Sequence, residues 1–173
     1  MLRSPSSSLS IMLACCLGSV IGACASQSRA LHPTPEVYVR KVGGDAKIIP
    51  SGQLDLDGHR PVCRTSPTVL DTRLDDYGGA YSDFLILNPR LLTTTTTTVK
   101  LWIYAHECGH QFRGKEELAA DCFAVERGRQ EKWLTPMGVE EICRFIAPTK
   151  ANGPHPSGPE RCAAMKLCYA KAL

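Results

Sequence analysis

The sequence predicts an α+β fold in which short, irregular strands come first and helices follow. Three observations lead to this prediction. Turn-forming glycines and prolines recur through residues 51–80, which leaves room only for short strands. The run Tyr81–Asn88 has the apolar content of a strand and stops at an Asn-Pro pair. From Val99 onward, apolar residues recur at helical spacing, and capping residues divide this part into four segments.

The helical part begins after a run of six threonines, which we interpret as a loop whose last residue, Thr98, caps the first helix. Leu101, Tyr104 and Ala105 share one face of this helix, and Gly114 is expected to end it. A Thr-Pro pair and a Ser-x-x-Glu capping box mark the starts of the last two helices. The predicted helices are Val99–Phe112, Glu116–Arg129, Pro136–Ile146 and a C-terminal segment that carries Arg161–Ala170.

Residues 1–25 have the features of an export signal. The 15 residues Leu9–Ala23 are apolar, which is short for a membrane span of about 20 residues but suits the core of a signal peptide. The small residues around Cys24 fit cleavage before Ser26, and they equally fit a lipobox in which Cys24 is lipidated. The sequence therefore predicts an exported protein, which is either soluble in the periplasm or outside the cell, or anchored to the envelope by a lipid on Cys24.

The remaining chain is expected to form one domain. Residues 26–50 are rich in proline and glycine, and we interpret them as a linker with one short strand at Glu36–Val42. Residues 51–173 are then the folded domain. The formal net charge of +3 is spread along the chain, so no basic patch indicates a nucleic-acid partner.

Cysteine content supports export. Three of the nine cysteines precede residue 26, which leaves six in the mature chain, enough for three disulfides. The sequence does not choose among the fifteen pairings that six cysteines allow. Cys108 and Cys122 are expected to pair with other cysteines rather than bind a metal, because the helical angle turns Cys108 away from its histidine neighbours.

The residues that carry chemistry are His106-Glu107-Cys108-Gly109-His110, an HExxH motif on the first predicted helix. Residues four apart lie on one helical face, so both imidazoles can bind one zinc ion. Glu107 projects about 100° away from His106, beside the ion rather than on it. A carboxylate there can take a proton from a zinc-bound water molecule, whose pKa the metal lowers toward about 7.

A third ligand is expected on the next helix. The candidates are Glu116, Glu117 and Asp121. If the chain turns at Gly114 and the second helix folds back antiparallel, Glu117 faces His110 and Asp121 lies one turn further on, opposite His106. Glu117 is then the third ligand, and Asp121 accepts the other ring N–H of a ligand histidine and fixes its tautomer.

This pattern resembles a known family. HECGH followed by Glu117-Leu118-Ala119-Ala120-Asp121 is similar to the HExxH…ExxAD signature of gluzincin zinc metallopeptidases, in particular the HtpX-like and CAAX-prenyl-protease group. The later His155-Pro156 with Arg161 matches the HPxxxxR motif of that group. The resemblance covers about half of the chain, from Gly78 to Lys166. It implies a compact, exported, disulfide-stapled, zincin-like peptidase domain.

The resemblance also implies roles for individual residues. His106, His110 and Glu117 would bind one Zn²⁺ and Glu107 would be the catalytic base. His155 and Arg161 would face the oxyanion of the tetrahedral intermediate. The Gly78-Gly79 turn and the strand after it, Tyr81–Asn88, would correspond to the edge strand that pairs with a peptide or protein substrate. The alternative is a non-catalytic envelope module in which zinc, or the disulfide framework alone, is structural. A closed set of four protein ligands would favour that alternative.

Overall fold

The computed structural model describes residues 32–153 and 155–172. Within these ranges the chain has a mixed α+β fold with six helices and one four-stranded sheet, as the sequence predicts. The predicted signal peptide, residues 1–25, lies outside the described residues, and so does Cys24. None of the helices in the described ranges combines the length and the apolar character that a bilayer crossing requires.

The sheet consists of very short strands in the order β1-β2-β4-β3. The central strand β4 pairs in parallel with β2 and antiparallel with β3, and β1 pairs antiparallel with β2. All three residues of β4 are buried, whereas those of β3, at the edge of the described sheet, are half-buried. The strands span Lys47–Ile49 (β1), Thr68–Leu70 (β2), Gly78–Ala80 (β3) and Leu85–Leu87 (β4).

The predicted strand Tyr81–Asn88 is too long. Only Leu85–Leu87 is extended and paired, because the backbone N–H of Tyr81 donates to the carbonyl of Phe84 and closes the turn between β3 and β4. At the other end, the Asn88 side chain accepts two backbone N–H groups and caps a one-turn helix, α2 (Pro89–Leu92). In the described sheet β3 is thus an edge strand, whereas β4, expected at the edge as part of Tyr81–Asn88, lies inside the sheet.

The predicted strand at Glu36–Val42 is wrong, because these residues belong to helix α1 (Pro35–Val42). The Thr34 hydroxyl accepts the N–H of Val37 at 3.3 Å, and Pro35 occupies the first helical position. This local capping signal outweighs the β-branched residues of the segment. Helix α1 and strand β1 both fall within residues 26–50, so this stretch contributes two elements to the fold.

Two antiparallel helices form the centre of the molecule. Helix α3 (Thr97–Arg113) is capped by Thr96, two residues before the predicted cap Thr98, and it ends at Gly114, whose φ of 71° favours glycine. Nine consecutive residues of α3, 101–109, are buried, so this helix is the core of the domain. After a short turn the chain returns along it as α4 (Glu117–Gln130).

Helices α5 (Pro136–Ile146) and α6 (Gly158–Lys171) complete the helical layer. The Thr135 hydroxyl caps α5, and a capping box between Ser157 and Glu160 starts α6, both as the sequence predicts. Helix α6 packs on both α4 and α5. It therefore lies beside the part of α4 that carries Glu117 and Asp121.

Three disulfides tie these elements together, the number that the cysteine count predicts. One joins the loop before β2 to α3, one joins α4 to α6, and one joins α5 to α6. Cys63 and Cys108 are fully buried. The pairs are Cys63–Cys108, Cys122–Cys168 and Cys143–Cys162.

Candidate metal centre

Helix α3 presents His106 and His110 on one face, one turn apart. Their Nε2 atoms are 3.1 Å from each other, and the two rings meet edge to face. His106 is buried and His110 is half-buried, so the pair lies where the helix reaches the protein surface. Two imidazole nitrogens are therefore directed at one position.

Helix α4 brings Glu117 to the same position. Its Oε2 is 3.3 Å from Nε2 of His106, and its Oε1 is 3.6 Å from Nε2 of His110. The helices approach this closely because position 109 has no side chain: a Cβ on Gly109 would stand 3.0 Å from the backbone of Ala120. The back-folding predicted from the sequence thus brings the carboxylate to the imidazole pair.

The spacing of these atoms fits a metal ion. The ligand atoms of His106, His110 and Glu117 all lie within 4.8 Å of one another, and these residues could hold a metal ion. A tetrahedral zinc ion with bonds of about 2.05 Å sets its ligand atoms about 3.3 Å apart. The observed separations of 3.1, 3.3 and 3.6 Å bracket that value. Two nitrogens and one carboxylate also match the ligand chemistry of catalytic zinc sites.

Each histidine uses its other ring nitrogen to fix its orientation. Nδ1 of His106 donates to Oδ1 of Asp121 at 2.9 Å, and Nδ1 of His110 donates to the carbonyl of Gly114 at 2.8 Å. With Nδ1 protonated, Nε2 is the atom left to bind a cation. Asp121, fully buried, lies where the sequence argument puts the outer partner of His106.

Glu107 stands beside this group and belongs to a different face of α3. It is 9% exposed, and its carboxylate lies against the backbone of β3 at Gly78. Burial raises the pKa of Glu107 to about 7, which the positive charge of His106 only partly opposes. A carboxyl group with a pKa near 7 can both accept and return a proton at neutral pH.

The charges of the centre are strongly coupled. Burial alone would lower the pKa of His106, but hydrogen bonds to Asp121 and Glu117 outweigh it and raise that pKa to about 9. Burial likewise opposes ionisation of Glu117, yet the hydrogen bond from His106 and the charges of His106 and Arg161 lower its pKa to about 2. The metal-free centre thus contains a protonated His106 against two carboxylates, and a cation would replace that proton.

Arg161 of α6 lies behind the pair formed by His106 and Asp121. Its Nε donates to Oδ2 of Asp121 at 2.7 Å and its Nη2 donates to Oδ1 at 2.8 Å. Its guanidinium also stacks over the ring of Trp102 and lies 3.7 Å from Oε2 of Glu117. The structure therefore puts this side chain on Asp121; its role at an oxyanion remains a prediction from the resemblance.

His155 reaches the centre from the loop between α5 and α6. Its Nδ1 is 3.1 Å from Oε1 of Glu117, and 55% of its side chain is exposed. A single antiparallel bridge between Asn152 and His155 shapes the loop. His155 thus borders the solvent-facing side of Glu117, whereas Glu116 is exposed and takes no part in the ion pairs of the centre.

Two contacts of the centre are not part of the sequence argument. Gly78 allows β3 to approach Glu107, and a Gly-Gly pair before a strand is a signal for such close approach. Trp102 lies one turn before His106, with their rings 5.6 Å apart, so the i, i+4 rule would have placed it there.

No protein family, no characterised protein and no solved structure is found to match this chain. The chemistry of the centre is therefore inferred from its own residues.

Proposed function

We propose that the protein is a zinc-dependent peptidase that hydrolyses peptide bonds with Glu107 as its base. His106, His110 and Glu117 would hold the ion. Zinc bound there would supply a Lewis acid that lowers the pKa of water and polarises a carbonyl group. The supporting observation is the position of Glu107, a buried carboxylate that follows His106 directly on α3 and is not one of the three ligand residues.

The edge strand supports a peptide as the substrate. Strand β3 lies at the edge of the described sheet and packs on α3 beside Glu107. An extended peptide can add to such an edge through backbone hydrogen bonds, which select for peptide rather than for a particular side chain. A peptide paired with β3 would run past Glu107 and the ligand residues.

The disulfides support export as the setting. Three disulfides in a small domain are typical of proteins from oxidising compartments, such as the periplasm or the extracellular space. We therefore propose a peptidase that works outside the cytoplasm on peptide or protein substrates.

Replacing the base tests the proposal directly. The Glu107→Gln variant keeps the shape of the side chain and removes its ability to accept a proton. We expect it to bind one zinc ion as the parent does and to cleave fluorescein-labelled casein or a peptide library about 10²–10⁴-fold more slowly. Equal cleavage by the variant and the parent would refute Glu107 as the base.

One observation favours a structural zinc site instead. The contact between His155 and Glu117, at 3.1 Å, puts a third imidazole, and so a fourth protein side chain, near the ligand residues. X-ray absorption of the zinc-loaded protein distinguishes the two functions, because three imidazoles would indicate a closed site and two an open one. The His155→Ala variant provides the matched spectrum.

A further inference from the structure

We infer that Arg161 is a positioning residue of the metal centre: its guanidinium holds the Asp121 carboxylate that orients His106, and two neighbouring disulfides keep it there. This inference rests on the metal-binding part of the proposed function and not on the peptidase reaction. It differs from the oxyanion role that the family resemblance implies, because Arg161 acts here through Asp121.

The contact between Arg161 and Asp121 has the geometry of a two-pronged ion pair. Nε and Nη2 of the arginine donate to the two different oxygens of the carboxylate, at 2.7 and 2.8 Å. A planar guanidinium meets a carboxylate in this way and fixes its plane as well as its position. The plane of the Asp121 carboxylate in turn sets the direction in which it accepts from Nδ1 of His106 at 2.9 Å.

Burial makes this pair necessary. Asp121 is fully buried, and 11% of the Arg161 side chain is exposed. A buried carboxylate needs donors for both of its oxygens, and His106 serves only one of them. Arg161 supplies the missing donor to Oδ2 and so keeps the carboxylate in the orientation that accepts from His106.

The arginine is itself held by one further contact, with Trp102. Its guanidinium carbon lies 5.5 Å from the centre of the Trp102 ring, which belongs to α3 one turn before His106. Arg161 therefore contacts α3 through Trp102 and α4 through Asp121 while belonging to α6. One side chain thus connects all three helices.

Two disulfides flank the ion pair in sequence. Cys122 follows Asp121 directly, and Cys162 follows Arg161 directly. The first is bonded to Cys168 of α6 and the second to Cys143 of α5. Because neither α4 nor α6 can slide past these bonds, the two prongs of Arg161 stay opposite the two oxygens of Asp121.

The first experiment replaces Arg161 by lysine, which removes the two-pronged contact with Asp121 and keeps the positive charge. In Arg161→Lys the ammonium group can satisfy one oxygen but cannot bind both in one plane. We expect zinc affinity, measured by competition with a chelating dye, to fall by about tenfold, as is typical when an outer hydrogen-bond partner of a ligand histidine is disturbed. The visible spectrum of the cobalt-loaded variant should change with it.

A matched control separates positioning from general stabilisation. Arg129 also ties α4 to α6, through the carbonyls of Tyr169 and Ala170 and by stacking on the Tyr169 ring, away from the metal centre. Arg129→Lys should leave zinc affinity and the cobalt spectrum within twofold of the parent. Equal losses in both variants would show that Arg161 is only a structural tie, and no loss in Arg161→Lys would equally overturn the inference.

A double-variant cycle tests whether Arg161 acts through Asp121. Asp121→Asn alone should weaken zinc binding by about 10–100-fold. Adding Arg161→Lys to it should then lower zinc affinity by clearly less than tenfold, because the carboxylate is gone and only the 3.7 Å approach of Arg161 to Glu117 remains. The same tenfold loss in both backgrounds would contradict the inference while leaving the Glu107 test of peptidase activity untouched.

The role of the disulfide between Cys143 and Cys162 can be tested without a change at Arg161. Cys143→Ala with Cys162→Ala frees α6 beside the arginine, and we expect a zinc affinity about tenfold below that of the parent. Unchanged affinity in a folded double variant would show that the bond does not maintain the register of the pair. Circular dichroism of each metal-free variant reports whether the fold is kept.

Discussion

The side chain of Glu107 lies directly against the backbone of Gly78. A Cβ at position 78 would stand 2.8 Å from Cγ of Glu107 and 3.0 Å from its Oε1. The edge strand and the proposed base are therefore in contact, and the absence of a side chain at this one position permits it. Any substitution at Gly78 must displace the carboxylate or the strand.

The first prediction concerns this contact. Gly78→Ala should lower turnover by at least about tenfold, because a displacement of about 1 Å at a reacting group has large effects on rate. Zinc affinity should stay within twofold, since Gly78 touches none of the ligand residues. Zinc titration and cleavage of labelled casein measure the two quantities on the same preparation.

The adjacent glycine provides the control. A Cβ at Gly79 would meet nothing within 4 Å, so Gly79→Ala should leave turnover and zinc affinity as they are. If both alanine variants lose activity equally, the effect comes from the strand as a whole and not from contact with Glu107.

The second prediction identifies the carboxylate ligand. Glu117→Ala should weaken zinc binding by more than the roughly 10–100-fold that loss of an outer partner costs. Glu116→Ala removes the same group from the neighbouring, exposed position and should not alter zinc binding. Isothermal titration of both variants with zinc measures the two affinities. Similar zinc affinities for Glu117→Ala and Glu116→Ala would exclude Glu117 from the ligand set.

The third prediction follows from the pKa of Glu107, which burial raises from 4.5 to about 7. The folded metal-free protein retains a proton on Glu107 between these pH values while the unfolded chain releases it, so stability is lost as pH rises from 4.5 through 7. Glutamine does not ionise and escapes this loss.

Metal-free Glu107→Gln should therefore match the parent near pH 4.5 and exceed it above pH 7 by an amount on the order of 3 kcal/mol. Urea unfolding in the presence of a chelator, repeated across this range, measures the difference. A difference that is independent of pH would mean that Glu107 is not buried in the metal-free state.

The fourth prediction compares two disulfides. Cys63 and Cys108 are 45 residues apart and Cys143 and Cys162 are 19 apart, so the first bond closes the longer loop. Loop-closure entropy predicts losses of about 4 and about 3 kcal/mol when each pair is replaced by alanine. Unfolding free energies of the two double variants test the order, and a larger loss for the shorter loop would contradict it.

Local spacing was sufficient to predict much of the centre. His106, His110 and Glu107 sit on one helix, where 3.6 residues per turn fixes their relative directions. Glu117 and Asp121 follow after one short turn, so their positions require only the further assumption that the second helix returns antiparallel to the first. These positions depend on few contacts between residues that are distant in sequence. The helical part of the fold was predictable for the same reason.

Other parts depend on contacts that spacing does not encode. Strand β3 is Gly-Gly-Ala, which has no alternating pattern, and its place at the sheet edge is set by pairing with β4. Arg161 reaches Asp121 across 40 residues of sequence, so only the packing of α6 reveals the pair. Helix α1 is different, because its signal is local: a capping threonine, Thr34, precedes a proline in the first turn.

The near-tetrahedral separations among His106, His110 and Glu117 have a consequence for how the ion is acquired. Small zinc-nucleated domains must fold around their metal, whereas this scaffold is braced by its own core and by covalent cross-links. Removal of the metal by a chelator should then leave the fold intact, and a second cation should bind the metal-free protein without refolding. Folding of this domain should therefore not depend on a bound cation.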